Sequence, residues 1–370
     1  MNSGGKMAGN QRTNIPGAVL AAFFVVAFSI SSVAAKEPKP QGLWVGGYKY
    51  FSEFQGKALL KSGTPKASLA FGSQVFNGPF SIAFDSHGDL WAVFQSIDDN
   101  LPPPALEITK GDLAALASHG RAKAKLITIN ASAGSTDQFV IPVNIDFDAE
   151  GNLWVVDDGK RVVELLANQL KKTSTQTPAV SIASQVASPT KLRFDKSDNL
   201  WVVEFPLPFD PSHPMICRFT PSDRSVSEPN PSLTVNLPEM LDPVDFAFDS
   251  GGNMWLAGAA SNSDEIEMIS ASALSGSGQI SPPADVIITS AAFGSSFNCI
   301  GGIDFDHSGD LWVSVGTDTC DGNTGPQLVE FSSTQLTMGG NLDPAVIIGQ
   351  NSKKTNLFIP GPLRFGPAVK

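Results

Sequence analysis

The chain has 370 residues, with 36 acidic against 25 basic side chains and a formal net charge of −11. That balance argues against the cationic surface that nucleic acid or an anionic membrane would require of a partner. A low share of charged residues (16%) combined with 34 glycines and 27 prolines fits an all-β fold rich in turns.

Residues 1–35 read as a signal peptide. Lys6 and Arg12 form a basic start, residues 18–30 an apolar run too short to span a bilayer comfortably, and Val33-Ala34-Ala35 small residues at a cleavage position. The mature chain then starts at Lys36, and losing Lys6 and Arg12 takes the balance to −13. An uncleaved anchor over 15–35 is the competing reading. Cleavage predicts a secreted or periplasmic protein with no membrane attachment.

The remainder, 36–370, is one motif repeated. It occurs at 79–94 (PFSIAFDSHGDLWAVF), 142–157 (PVNIDFDAEGNLWVVD), 189–204 (PTKLRFDKSDNLWVVE), 243–258 (PVDFAFDSGGNMWLAG) and 300–315 (IGGIDFDHSGDLWVSV). A sixth copy is split, with its first half (PGPLRFG, 360–366) near the end of the chain and its second (GLWVGG, 42–47) near the start. Each copy holds one of the six tryptophans: Trp44, Trp91, Trp154, Trp201, Trp255 and Trp312. Self-similarity at this spacing points to a solenoid, propeller or array.

Each copy reads as a β-hairpin. Phe-Asp and Leu-Trp (Met-Trp in one copy) flank a three-residue loop and a closing Asn or Asp. The loop ends in Gly88, Gly151, Gly252 or Gly309, where a left-handed residue is needed; Asp198 fills that place once. Asp85, Asp148, Asp195, Asp249 and Asp306 open the loops and are expected to accept backbone N–H groups, a structural role. His87 and His307 lie within the turns. The register sets Phe305 opposite Leu311 and Asp304 opposite Trp312, so both faces of the hairpin are apolar and both need covering. Third strands follow near 105–109, 162–166, 215–219, 265–269 and 327–331, and fourth strands near 125–129, 179–182, 233–235, 285–288 and 345–348. Helical turns are expected around 111–117. The predicted fold is an all-β, six-bladed propeller of four-stranded blades, closed by pairing 360–366 with the strands of 42–70.

The hairpin motif resembles NHL-type repeats and the senescence-marker/gluconolactonase group of six-bladed propellers, over residues 42–366. That resemblance implies the propeller fold. Membership of the gluconolactonase group would imply a divalent-metal-dependent lactonase or esterase with an Asn or Asp ligand directly after the motif proline. Here those positions hold Phe80, Val143, Thr190, Val244, Gly301 and Gly361, a departure from the group at its ligand positions.

One rim gathers the loops from fourth to first and from second to third strands. It is acidic: Asp98, Asp99, Asp157, Asp158, Glu204, Asp210, Asp264, Glu265, Asp318 and Asp321, with His213. Nearer the axis stand Asn144, Lys191 and Asp245. Asn144, Asp157, Glu204 and Asp245 form an oxygen-rich candidate set for Ca²⁺. The competing reading is solvated or paired groups, with Lys191 neutralising Asp245 and Glu204. The residues facing Trp run Arg364, Ala83, Asp146, Arg193, Ala247, Asp304 around the ring, which suggests Asp146–Arg193 and Asp304–Arg364 pairs. Cys299, expected opposite Thr317, is a candidate disulfide partner of Cys320. The expected function is an exported, monomeric binding module whose acidic rim takes a protein, glycan or small-molecule ligand; the alternative is the metal-dependent lactonase or esterase.

Overall fold

The computed structural model describes residues 41–47, 50–72, 76–96, 105–119, 127–131, 142–157, 161–183, 188–205, 213–260, 263–294, 299–316, 325–349, 355, 357 and 360–369. The expected signal segment lies outside these. Among the described residues, no helix is long and apolar enough to cross a membrane.

Each motif folds into the two innermost strands of a blade, and six such sheets form a six-bladed β-propeller. In blade 6, Ile300–Phe305 pairs with Leu311–Val315, Phe305 opposite Leu311 and Asp304 opposite Trp312. Gln327–Phe331 and Val346–Gly349 complete that sheet. Blades 2 to 5 begin with Phe76–Phe84, Pro142–Phe147, Pro189–Phe194 and Asp242–Phe248 and repeat the order. Blade 1 is the split copy: Pro360–Pro367 lies beside Gln41–Gly47, with Leu43 opposite Phe365 and Trp44 opposite Arg364, followed by Tyr50–Gln55 and Leu69–Gly72. The helical turns expected around 111–117 are an α-helix, Lys110–His119.

The conserved letters of the repeat have physical causes. The turn glycines sit at φ of 82–84° and Asp198 at 60°, a region in which a Cβ is strained. The first oxygen of Asp85, Asp148, Asp195 and Asp306 accepts two backbone N–H groups, for Asp306 from Ser308 and Asp310 at 2.8 and 3.0 Å, and that of Asp249 accepts the N–H of Asn253 at 3.0 Å. In blades 2 to 5 the second oxygen accepts the indole N–H six residues on, from Trp91, Trp154, Trp201 and Trp255 at 3.3, 3.0, 2.9 and 3.1 Å. The aspartate thus satisfies an indole N–H that would otherwise be buried at a cost. Each Trp also packs against the motif Phe of the next blade: Trp44 on Phe84, Trp91 on Phe147, Trp154 on Phe194, Trp201 on Phe248, Trp255 on Phe305 and Trp312 on Phe365, with centroids 5.7–6.5 Å apart. These tilted and edge-on pairs run unbroken around the ring and form its inter-blade core.

Two features differ from the expected hairpin and blade. First, the inner strands of blades 2 to 6 shift register at the residue after the motif proline, or at the corresponding Gly301. This bulge moves the pairing by one residue, so the Cys299 carbonyl accepts from Gly316 (2.9 Å) and not Thr317. Second, the connection between third and fourth strands reaches back to the preceding blade. Ser174–Gln176, Gly278–Ile280 and Gly340–Asn341 add as parallel fifth strands to blades 2, 4 and 5. Gly63 bridges to Ile348 of blade 6 in the same way. These additions cap outer sheet edges.

Candidate functional site

The bulges turn the residue two places after the motif proline toward the inner edges of the neighbouring blades. There Ser81 Oγ accepts from Ile145 N (3.2 Å), Asn144 Oδ1 from Leu192 N (2.9 Å) and Asp245 Oδ2 from Ile303 N (3.1 Å). One layer further along, Asp146 Oδ2 accepts from Phe194 N (3.3 Å) and Asp304 Oδ2 from Phe365 N (2.8 Å). An inner strand is a sheet edge whose N–H groups need acceptors. These side chains supply them and tie each blade to the next.

Arg193 occupies the middle of this arrangement. Its guanidinium reaches Asp245 Oδ2 (3.0 Å), Asp304 Oδ1 (3.3 Å) and the Ile303 carbonyl (2.6 Å). The direct ion pairs of Arg193 are thus with Asp245 and Asp304 of blades 5 and 6 and not with the anticipated Asp146, which bonds backbone N–H groups. The attractions of Asp146 to Arg193 and of Asp304 to Arg364 persist as charge interactions. Burial alone would raise the Asp245 carboxyl, but Arg193, Arg364 and Lys191 outweigh it and hold it below the usual range. Burial raises Asp146 against the pull of Arg364 and Arg193. Burial lowers the Lys191 ammonium, with Asp245 opposing.

The four residues read as a calcium set take separate partners. Asn144 spans blades 2 to 4 through Ser81 Oγ (3.2 Å) and Leu192 N. Asp157, fully buried, lies 3.6 Å from Arg161 Nε. Glu204 hydrogen-bonds the buried Cys217 thiol and, after burial itself, helps push that thiol upward. Asp245 is held by Arg193. The positions where the gluconolactonase group has ligands are bulge residues here, and three cations, Lys191, Arg193 and Arg364, interact electrostatically with Asp245. This donor set does not fit a divalent cation on the axis, because like charges would oppose it.

Of the acidic-rim residues, Asp98, Asp99, Asp158, Asp210, Asp318 and Asp321 lie outside the described residues, as does Cys320. His213 is exposed. Asp264 is 3% exposed and accepts the N–H groups of Cys299 (2.6 Å) and Ile300 (3.1 Å), an internal role. Glu265 belongs to a cluster that sequence reading missed, with Glu239 from the loop entering blade 5 and Glu267 two residues on. Glu267 is 4% exposed, and its buried Oε1 has no hydrogen-bond partner. Burial, then Glu265 and Glu239, raise its carboxyl to about 8. The signal was Glu-Ile-Glu on a third strand: both carboxylates point to one face.

Glu53 is likewise raised to about 7 by burial, opposed by a bond from Val369, and Glu330 to about 7 by burial, Asp310 and Asp306. In the unfolded chain these groups titrate near 4.5. The folded protein therefore keeps protons that the unfolded chain has already released. Their contribution to stability is complete below about 4.5 and is lost as pH rises through 7–8. Thermal melts should give a higher Tm near about pH 5.5 than near about pH 8.5, and Glu53→Gln with Glu267→Gln should flatten that difference. A Tm that rises over this window would contradict the assignment.

No protein-family model matches the chain, and no curated protein matches it in sequence. Among solved structures, a protein of unknown function from Bacteroides caccae is similar at TM-score 0.54 and 14% identity, over 89% of this chain and 100% of that one. A Lactobacillus plantarum protein aligns at TM-score 0.49 and 13% identity, over 88% of this chain and 99% of its own. A gluconolactonase-like protein aligns at TM-score 0.39 and 13% identity, over 69% of this chain and 88% of its own. At these identities the likeness is one of fold.

Proposed function

We propose that this chain is an exported binding propeller whose acidic rim receives a protein, glycan or small-molecule ligand through a cationic group. The observation that carries this reading is the Glu239–Glu265–Glu267 cluster: three acidic side chains, of which buried Glu267 has its carboxyl raised to about 8 by burial, Glu265 and Glu239, and an Oε1 with no hydrogen-bond partner. A cationic group seated there would relieve the repulsion and the unmet acceptor together. The alternative is a lactonase or esterase using Ca²⁺ at Asn144, Asp157, Glu204 and Asp245, and it would require those four to leave their present partners. The test has two arms. Calorimetry with poly-lysine should give saturable binding that Glu239→Gln and Glu265→Gln together weaken by about tenfold, or ~1.4 kcal/mol. A screen of lactones and esters should show no turnover that a chelator abolishes. Chelator-sensitive turnover lost in Asp245→Asn would replace the binding reading with the hydrolase.

We also propose a Cys299–Cys320 disulfide. It is supported by the bonded state of Cys299 and by Cys217 being a buried free thiol, which leaves Cys320 as the intrachain candidate among three cysteines. In the loop-entropy account such a bond stabilises by roughly 2–4 kcal/mol. Peptide mapping without reductant should yield one linked peptide joining these residues; alkylation of all three thiols would exclude it.

A further inference from the structure

We propose that the groove between blades 2 and 3, on the rim formed by the hairpin turns, binds a first-row divalent cation through Asp85, His87, Asp89 and Glu107. This site stands apart from the acidic rim and from the axis.

The molecule contains its own control. In blades 3, 4 and 5 the residue closing the turn is Asn152, Asn199 or Asn253. Its side-chain amide donates to the second oxygen of the turn aspartate, at 3.0, 2.8 and 2.8 Å. In blade 2 that residue is Asp89, which when ionised has acceptors and no donor. Two carboxylates therefore meet where blades 3 to 5 set a donor against an acceptor.

The third strand adds a third carboxylate. Glu107 faces Trp91 across the sheet and is 8% exposed; its Oε2 is buried with no hydrogen-bond partner. The corresponding Glu164 of blade 3 is held by the Asn152 amide at 2.9 Å. An orphaned carboxylate oxygen is costly unless a proton or a cation meets it. His87 supplies a nitrogen ligand: one ligand atom each from Asp85, His87 and Asp89 lie within 4.8 Å of one another. All four side chains line one groove of about 390 Å³.

Backbone N–H groups hold Asp85 and Asp89 in place, and Asp85 Oδ2, which also accepts the Trp91 indole N–H at 3.3 Å, keeps a second lone pair. Asp85 Oδ1 accepts the N–H groups of His87 and Asp89 at 2.9 and 3.0 Å, and Asp89 Oδ1 accepts that of Lys110 at 2.5 Å. Glu107 Oε2 takes no donor among the described residues, and the Glu107 and Asp89 carboxyls are in hydrogen-bonding contact with one another, a contact that a cation would replace. Three carboxylates with one imidazole suit Zn²⁺ or Mn²⁺, whereas Ca²⁺ and Mg²⁺ favour oxygen alone. The blade 6 groove repeats the carboxylates as Asp306, Asp310 and Glu330, but there His307 Nδ1 is engaged by Gln41 Oε1 at 3.2 Å.

The test is calorimetric titration of the purified, tag-free protein with Zn²⁺ after chelator treatment, with Ca²⁺ in parallel. One saturable Zn²⁺ site is expected. Asp89→Asn and Glu107→Gln should each weaken it at least about tenfold, and His87→Ala should weaken Zn²⁺ more than Ca²⁺. Asp89→Asn restores the residue of blades 3 to 5, so in chelator it should melt no lower than the wild type, which separates loss of the site from misfolding. No saturable Zn²⁺ binding, or equal affinity in Asp89→Asn and Glu107→Gln, would overturn the proposal. Glu239→Gln and Glu265→Gln lie on the other rim and should leave Zn²⁺ affinity unchanged, so the two readings stand or fall separately.

Discussion

Deleting residues 358–370 should abolish the cooperative thermal transition, or lower it by roughly 10 °C or more. Pro360–Pro367 is the innermost strand of blade 1, and its loss exposes the edge of Gln41–Gly47 along the register from Gln41 to Gly47. It also uncovers both neighbours. Leu363 is fully buried, Phe365 covers Trp312, and Phe365 N satisfies Asp304. Beyond the strand, Val369 N donates to Glu53 Oε1 at 2.9 Å, and Gln55 Nε2 donates to the Val369 carbonyl at 2.9 Å. Each fully buried apolar side chain is worth about 1.5–3 kcal/mol, and a ring that cannot close loses contacts in two blades together. Scanning calorimetry of the truncated protein decides the matter: melting at the wild-type temperature would mean that closure contributes nothing.

Replacing Arg193 with Met should destabilise the protein by about 3–5 kcal/mol, the cost of removing one partner from a buried ion pair. Asp245 and Asp304, 9% and 18% exposed at the side chain, would lose their shared cation, and Ile303 O would lose a donor. Most of the loss should come from the stranded carboxylates. Combining Arg193→Met with Asp245→Asn and Asp304→Asn should therefore recover a large part of it. Urea unfolding of the single and triple variants measures both. A single variant as stable as the wild type would show that water or Lys191 neutralises the pair.

Much of this architecture was legible from the chain alone because the repeat encodes local physics. A Gly or Asp at the last loop position specifies the turn. Alternation specifies which residues share a face. A Trp in each copy counts the blades, and the split copy at 42–47 and 360–366 announces closure. Even the structural role of Asp85 and its equivalents followed from turn chemistry, although their bond to the indole N–H did not. That bond joins residues six apart across a hairpin, and it requires knowing which way the Trp ring turns.

The candidate sites were less legible, because they depend on which groups face one another between blades. Asn144, Asp157, Glu204 and Asp245 share oxygen-bearing side chains but each takes its own partners. The one-residue bulge after the motif proline re-aims each inner strand, and a shift of one residue exchanges the side chains that face the axis for those that do not. Residue type could not reveal that Arg193 would reach past blade 5 to Asp304, or that connections between third and fourth strands would add to the preceding blade. Sequence by itself determined the hairpin, the blade count and the closing strand, since each rests on contacts within a few residues or on a repeated pattern. Tertiary structure alone decided which carboxylates are neutralised and which are left facing one another, since burial and charge pairing are properties of neighbours brought together from distant parts of the chain.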